Sequence, residues 1–505
     1  MFLILLSLIA LIGFGWLYSK WRRVKTYWSR RGVPSEAPHP VVGSLAFLQR
    51  ENVGVWMRKL YTRFDSPYVG IWLFWRPALM INSPEMARRV LVKDADVFRN
   101  RFLSSGKSDP LGGMNIFTVN DPLWTAVRRR LTPIFTGSKL RAMQELIIRK
   151  SNEFIERVHR EIETGEPIHI RQICTDFTTD IVGESAFGLS SEATKTGDSA
   201  LRRITREFGA FSVYRGLCWS SIFFIPELVD IFRFTFFPRE SAEFLKKLFR
   251  AIVEQRGGYG REVREPRDLF DALLKMKYEA AKDNEEMSEE LLLAQAAIFL
   301  QGGFDTSGTA LTFTIYEMAH KPQLQERLYE ELVETKRGLG GKEFDSSALA
   351  DMPYLNAVIK ETLRKYPPMG WLDRISSKEY RVDDKLTLPA GSVVYVNVVG
   401  MQSDPNHFPQ PEQYDPDRFL PENERNIPPY TYMPFGDGPR NCIGMRFAQQ
   451  VMRFAVAKIF LAFRLEPLPK APKPNEVQIE KNGLFMMPGQ KLSVRFIPRP
   501  SLSLN

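Results

Sequence analysis

The chain opens on MFLILLSLIALIGFGWLY, eighteen positions without a charge, and Lys20, Arg22, Arg23 and Lys25 follow at once. Such a run approaches the roughly 20 apolar residues that cross a bilayer as a helix. It lacks the charged start and small-residue end of a cleaved signal, and the basic residues after it place the rest of the chain on the cytosolic side. Residues 1–20 are therefore read as a membrane anchor. Residues 21–40, basic and carrying Pro34, Pro38 and Pro40, are read as a hinge that proline stiffens. The folded body is expected over 41–505.

Within the body, apolar residues recur mostly at helical spacing. RAMQELIIRKSNEFIERVHREI (141–162) predicts an amphipathic helix, and a second begins at Met445. A third runs from Ser288, a capping residue followed by Glu289 and Glu290, to a stop near Pro322. Strand-like patterning is confined to short pieces at 69–74, 392–400 and 491–498. The fold class predicted is a single, mainly α domain with a small β part. The stretch 218–240 is unusually aromatic; it suits either core or a loop that dips into a membrane interface, notably around Phe223 to Phe237.

Composition changes this picture little. The chain has 505 residues, and Lys plus Arg exceed Asp plus Glu by ten. The basic residues are scattered and no nucleic-acid-binding module accompanies them, so no nucleic-acid partner is expected. Three cysteines, an odd number and widely spaced, argue against a disulfide framework. Five histidines show no zinc-site spacing. A metal bound at Cys442 would have that sulfur as its one protein ligand.

Cys442 is where the chemistry concentrates. It lies in FGDGPRNCIGMRF (435–447), directly before the Met445 helix, whose free N–H groups and positive dipole end would favour the thiolate. Gly438 and Gly444 permit the close approach that a flat cofactor requires. Phe435 can cover the sulfur, and Arg440 can meet a carboxylate. In the helix from Ser288, Gly302, Gly303 and Gly308 each cost about 1 kcal/mol relative to alanine. Either a planar ligand with a local distortion at Thr306, or a close helix crossing, would account for them.

The loop F-x-x-G-x-R-x-C-x-G resembles the haem-binding signature of the cytochrome P-450 family, the haem-thiolate monooxygenases, and the fold expected is theirs. The resemblance implies haem b (iron protoporphyrin IX) as cofactor, with Cys442 as axial ligand of the iron. The segment Gly302 to Ser307 is similar to the family's oxygen-activation segment, which implies an acid–alcohol pair, Asp305 and Thr306, that delivers protons to bound dioxygen. KETLRKYPP resembles the E-x-x-R motif, so Glu361 and Arg364, with Arg418 from YDPDRF, are expected to form a structural network. Trp124 and Arg128 match a W-x-x-x-R pattern that contacts a haem propionate, with Arg374 and Arg440 as further propionate partners.

By the same resemblance, Phe117, Phe299, Phe304, Met369, Trp371, Leu372, Leu484 and Phe485 should line a substrate pocket. Electrons are expected from NADPH through a separate NADPH-cytochrome reductase, with a cytochrome b-type donor as a further partner. Docking is expected on the basic patch of Arg128 to Arg130, Arg440 and Arg446. The chain looks most like microsomal insect members that oxidise foreign compounds, anchored in the endoplasmic reticulum membrane. An endogenous steroid or lipid hydroxylase, a thiolate-haem isomerase and a haem sensor are the alternatives.

Overall fold

The computed structural model of the chain describes residues 2–189 and 191–500. Met1, Ser190 and residues 501–505, which the expected anchor and body include, lie outside the described residues. The helices that matter for the site are α1 (Phe2–Lys25), α2 (Val53–Arg63), α3 (Leu123–Leu131), α4 (Gln144–Glu163), α5 (Ile170–Phe187), α6 (Val213–Phe224), α7 (Glu289–Ala319), α8 (Pro353–Lys365) and α9 (Met445–Ala462). The strands are β1 (Tyr68–Leu73), β2 (Arg76–Ile81), β3 (Ile168–His169), β4 (Leu372–Ile375), β5 (Val393–Val396), β6 (Phe463–Pro467) and β7 (Ser493–Pro498), besides a small hairpin of Tyr380–Arg381 with Thr387–Leu388. The mainly α expectation with a small β part describes this molecule.

The organising element is α7, 31 residues long and buried on most of its length. Ser288 caps it, its side chain accepting from Leu291 N at 3.1 Å, and Glu289 and Glu290 oppose the dipole in the first turn. It packs along α5 and against α9. One apolar core gathers around its N-terminal half, with α6. A second gathers around Ala310 to Ala319 with α4, α8 and α9. This division leaves the middle of α7 free to face a cavity.

A four-stranded sheet, in the order β1-β2-β5-β4, lies beside these helices. β2 runs parallel to β5, with Ala78 opposite Val393, and β4 runs antiparallel to it, with Arg374 opposite Val394. The pairing carries Leu372 to the cavity wall and leaves Asp373 and Arg374 buried behind it. The expected strand 392–400 stops at Val396, because the Asn397 side chain accepts from Gly400 N at 3.0 Å and turns the chain into a short helix, Val398–Met401. The expected helix 141–162 also divides: Arg141 belongs to a short helix, Gly137–Ala142, and α4 begins at Gln144.

α1 is exposed along its apolar length, and Ile4–Lys25 is long and apolar enough to cross a membrane. Part of the segment expected as a stiffened hinge, 21–40, packs against the sheet. Trp28 is buried and its Nε1 donates to Ile71 O at 3.0 Å, and Val33 packs in the same sheet-side cluster. The carbonyl of Val24 accepts from Trp72 Nε1 at 3.2 Å. An indole needs a partner when buried, and these two tryptophans fasten the end of α1 to the sheet.

The aromatic stretch 218–240 divides between the two roles open to it. Phe223, Phe224, Phe236 and Phe237 are buried and take the core role. Ile231 and Phe232 turn outward, as do Val213, Tyr214 and Leu217 just before the stretch.

Candidate active site

A cavity of about 300 Å³ opens between α7, the Cys442 loop and the β4 edge. Its floor is Cys442, whose N–H donates to Phe435 O at 2.8 Å, folding the loop back on itself. The sulfur is open toward the cavity while protein encloses it on the other sides. Burial pushes the Cys442 thiol pKa up; the Gly444 N–H and the guanidinium groups of Arg128 and Arg101 pull it down, but less strongly. The helix terminus and the arginines help, and a bound cation would have to supply the rest.

The glycines serve different purposes. Gly302 and Gly444 line the cavity, and a Cβ added to either meets nothing within 4 Å. A Cβ at Gly303 would stand 2.6 Å from Val182 Cγ2, and one at Gly308 would stand 2.8 Å from Thr175 Cγ2. Two of the three glycines of α7 thus permit its close crossing with α5, and Gly302 opens the space above the sulfur. Gly438 does not face the cavity: it has φ +71°, and a Cβ there would lie 1.8 Å from the Leu91 carbonyl oxygen. Its expected cofactor contact is corrected to a backbone approach that admits only glycine.

α7 runs unbroken through Thr306, so the expected local distortion is absent there. The Thr306 hydroxyl faces the cavity and donates to Gly302 O at 2.6 Å. Asp305, its expected partner in proton delivery, points the other way. It is buried outside the cavity lining and accepts from Arg171 Nη2 at 3.0 Å.

Basic side chains crowd one rim. Arg128 donates from Nη1 and Nη2 to Asn441 O and Oδ1, both at 2.8 Å. Arg440 donates to the carbonyls of Arg99 and Val119, each at 2.9 Å, and lies over the Trp124 ring at 4.1 Å. Arg374 is buried beyond the lining, its Nη1 donating to Asp373 O at 2.7 Å. Burial, then the charge of Arg101, pushes the Arg374 pKa down to about 9 and the Arg440 pKa down to about 8. Guanidinium groups keep their protons in proteins, so these displacements express how strongly the rim calls for negative charge.

Sequence reasoning missed the residue that answers this most directly. Arg101 is buried, lines the cavity, and has Nε and Nη1 without partners. No motif marks it. Its one local signal is a cation set between apolar Phe98 and Leu103, which implies a buried charge and hence a counter-charge. An anionic planar group fits this set: a thiol as soft donor below, open backbone at Gly302 and Gly444, and orphaned guanidinium donors at the edge.

The expected substrate residues separate in the same way. Phe117, Phe299, Met369, Leu372 and Phe485 line the cavity. Phe304, Trp371 and Leu484 do not; they are buried core residues, with Trp371 stacked on Phe224 at 6.3 Å between centroids. Phe135, stacked on Phe299 at 5.4 Å, and Trp219, Phe223 and Phe236 also line the cavity and were not anticipated. They come from loops and α6, whose apolar patterns alone do not say which core they enter.

Behind the cavity, Glu361 and Arg364 form a bidentate pair, 2.7 and 2.8 Å, with both side chains fully buried. Arg364 also donates to Gln402 O at 2.9 Å and Pro411 O at 2.8 Å. Arg418 Nε stands 3.6 Å from Glu361 Oε1. Burial pushes the Glu361 pKa up, and Arg364 opposes the shift. The three-residue network expected of the E-x-x-R segment is thus assembled in space.

The comparisons agree with this geometry. The family model described as "Cytochrome P450" matches residues 33–496. The chain is 33% identical over 489 residues to "Cytochrome P450 6k1" of Blattella germanica, covering 93% of this chain and 92% of that protein. It is 33% identical over 507 residues to "Probable cytochrome P450 6a13" of Drosophila melanogaster, covering 99% and 100%. It is 35% identical over 469 residues to "Probable cytochrome P450 6g2" of the same fly, covering 88% and 89%. A cysteine floor, an open α7 face and a cationic rim, in a chain matched along nearly its whole length, have one reading: the chain belongs to the cytochrome P-450 family and is a haem-thiolate monooxygenase.

Proposed function

We propose that the chain inserts one oxygen atom of dioxygen into apolar foreign compounds, such as plant toxins and insecticides, with electrons from NADPH delivered by a separate NADPH-cytochrome reductase. The carrying observation is the single cavity that brings Cys442 and Thr306 together with the side chains of Phe117, Phe299 and Phe485. Haem supplies the activation of dioxygen, and cysteinate ligation favours O–O cleavage. Cys442 would hold its iron, and Arg101, with Trp124 and Arg128 beside it, would hold its carboxylates.

The protein's own part is binding, orientation and proton handling. The aromatic walls take an apolar substrate and exclude water. Thr306 holds a hydroxyl proton at the cavity face of α7. Asp305 reaches that face only by leaving Arg171, so this ion pair governs its use as a proton source. α1 suits a single anchor in the endoplasmic reticulum, and the basic residues after it suit a catalytic body on the cytosolic face. The reductase face is narrower than the sequence implied: Arg128 and Arg440 are engaged inside the protein, which leaves Arg129 and Arg446 exposed.

The test is turnover of a mixed panel of plant toxins, insecticides and steroids by the full chain with reductase and NADPH, read by mass spectrometry under isotopically labelled dioxygen. Labelled products from the foreign compounds support the proposal. Labelled products from steroids alone would assign an endogenous role instead.

A further inference from the structure

A second cleft, of about 610 Å³, lies between α2, the C-terminal end of α8 and the turn at 474–489. It shares no lining residue with the Cys442 cavity, although Met486 on its wall adjoins Phe485 in the other. About half of its surface is polar, and several of its charges are already engaged. Lys365 Nζ is held by Glu317 Oε1 at 2.7 Å and Asn475 Oδ1 at 2.6 Å. Glu51 pairs with Lys59, and Glu480 Oε1 accepts from Asn482 N at 2.9 Å.

Among the unpaired charges, Arg58 is the one that is not exposed at the rim. It projects from α2 into this cleft, its Nε is sealed from solvent without an acceptor, and its guanidinium makes no hydrogen bond or ion pair among the described residues. Burial pushes its pKa down, and Glu412 opposes this without coming within ion-pair distance. Since guanidinium keeps its proton, a largely buried cation faces the cleft, and the carboxylate on the same lining, Glu412, is not in contact with it. Asn482 Oδ1 is also buried without a partner, and the amide turned over would aim an N–H₂ donor instead. Arg50 and Lys481 stand exposed at the lining and form no ion pair.

We propose that this cleft is an oxyanion-binding site, in which the Arg58 guanidinium takes a phosphate or carboxylate group and Arg50 and Lys481 draw it in. A guanidinium fork presents two parallel donors to such a group. The oxyanion could be carried by a free metabolite or by an anionic lipid headgroup. Arg50 adjoins Gln49, whose amide packs against Gly216 of α6, the helix that exposes Val213, Tyr214 and Leu217. The two sources share their chemistry and differ in the probe that reveals them.

The experiment uses the full-length haem-loaded protein in neutral detergent. Its thermal unfolding midpoint is followed while inorganic phosphate replaces chloride at constant ionic strength, and again with vesicles of phosphatidic acid against phosphatidylcholine. A bound anion raises the midpoint by mass action. Arg58→Met should weaken the response to whichever probe acts by roughly tenfold or more. The same variant should be at least as stable as wild type in chloride, because it removes a buried charge that has no partner. Comparison with this variant also subtracts the general stabilisation that phosphate gives any protein.

Glu412→Gln provides an independent arm should Arg58→Met fold poorly. It removes the competing carboxylate, so the probe should bind several-fold tighter. A response to inorganic phosphate assigns a free anion, and a response to phosphatidic acid vesicles alone assigns a headgroup; both support the site. No response of the wild type to either probe overturns it. So does a response that Arg58→Met retains in full, or one that Glu412→Gln leaves unchanged.

Discussion

Thr306 Oγ1 donates to the carbonyl oxygen of Gly302 at 2.6 Å, one turn back along α7, and both residues face the cavity over Cys442. The bond fixes the hydroxyl's direction and leaves its lone pairs toward the site. A threonine that bonds back to the i−4 carbonyl is slightly unfavourable for a helix, and alanine is the better helix former. Thr306→Ala should therefore fold and load haem as wild type does. In a reductase-supported assay it should consume NADPH while product per NADPH falls several-fold and hydrogen peroxide rises. Wild-type coupling in this variant would reduce Thr306 to a packing residue.

The Glu361–Arg364 pair leads to a different outcome. By spacing alone it would pass for an exposed helix pair of about 0.2–0.5 kcal/mol, but both side chains are fully buried. Removing one partner of a buried pair costs about 3–5 kcal/mol, because the other charge is left alone. Glu361→Gln should thus give little folded, haem-loaded protein. Arg418→Gln should be milder, since its nearest approach to Glu361 is 3.6 Å and its Nη2 donates to Gln410 O instead. Urea unfolding of whatever folds, together with haem content per chain, separates the two.

The sequence shows what is local and hides what depends on which side of an element faces inward. The Ser288 cap and the length of α7 are readable because both obey short-range rules. Strand β2 is not: four of its six positions are buried in succession, so no alternation marks it. Cys442 is legible through its glycines, yet Gly438 belongs to the Leu91 carbonyl and not to the cavity. Arg101 carries no motif, because its role comes from Asp373, Arg374 and Arg440 arriving from distant parts of the chain.

The α7 glycines give a test that divides one helix face from another. Gly302→Ala meets open space and gains helix propensity, so the fold should be as stable or up to about 1 kcal/mol more stable. Its new methyl enters the cavity, so binding of apolar ligands should weaken. Gly303→Ala and Gly308→Ala push against Val182 and Thr175 and should cost about 1–3 kcal/mol, as overpacking does. Chemical unfolding and a ligand titration on the same three variants check both halves. Equal stability for all three would remove the close crossing of α7 and α5 as the reason for two of these glycines.

Arg101 and Arg440 sit in one cationic cluster but should fail in opposite ways. Arg440 is spent on the protein: it satisfies the carbonyls of Arg99 and Val119, and removing it leaves buried acceptors without donors. Each such orphan costs about 1–3 kcal/mol, so Arg440→Leu should destabilise the chain whether or not haem is bound. Arg101 has no acceptor for Nε or Nη1, and its charge opposes those of Arg374 and Arg440. Arg101→Leu should therefore leave the haem-free protein as stable as wild type or more so. With haem bound the order reverses, because the leucine cannot meet a carboxylate and a charge-assisted hydrogen bond is lost. Transfer of haem to an excess of apo-globin, followed by absorbance, should run roughly tenfold faster or more in this variant. The unfolding midpoint of the haem-free protein supplies the other half of the contrast. Should Arg101→Leu retain haem as wild type does, its free nitrogens do not serve the cofactor, and Arg128 and Trp124 alone would remain as candidates at that edge.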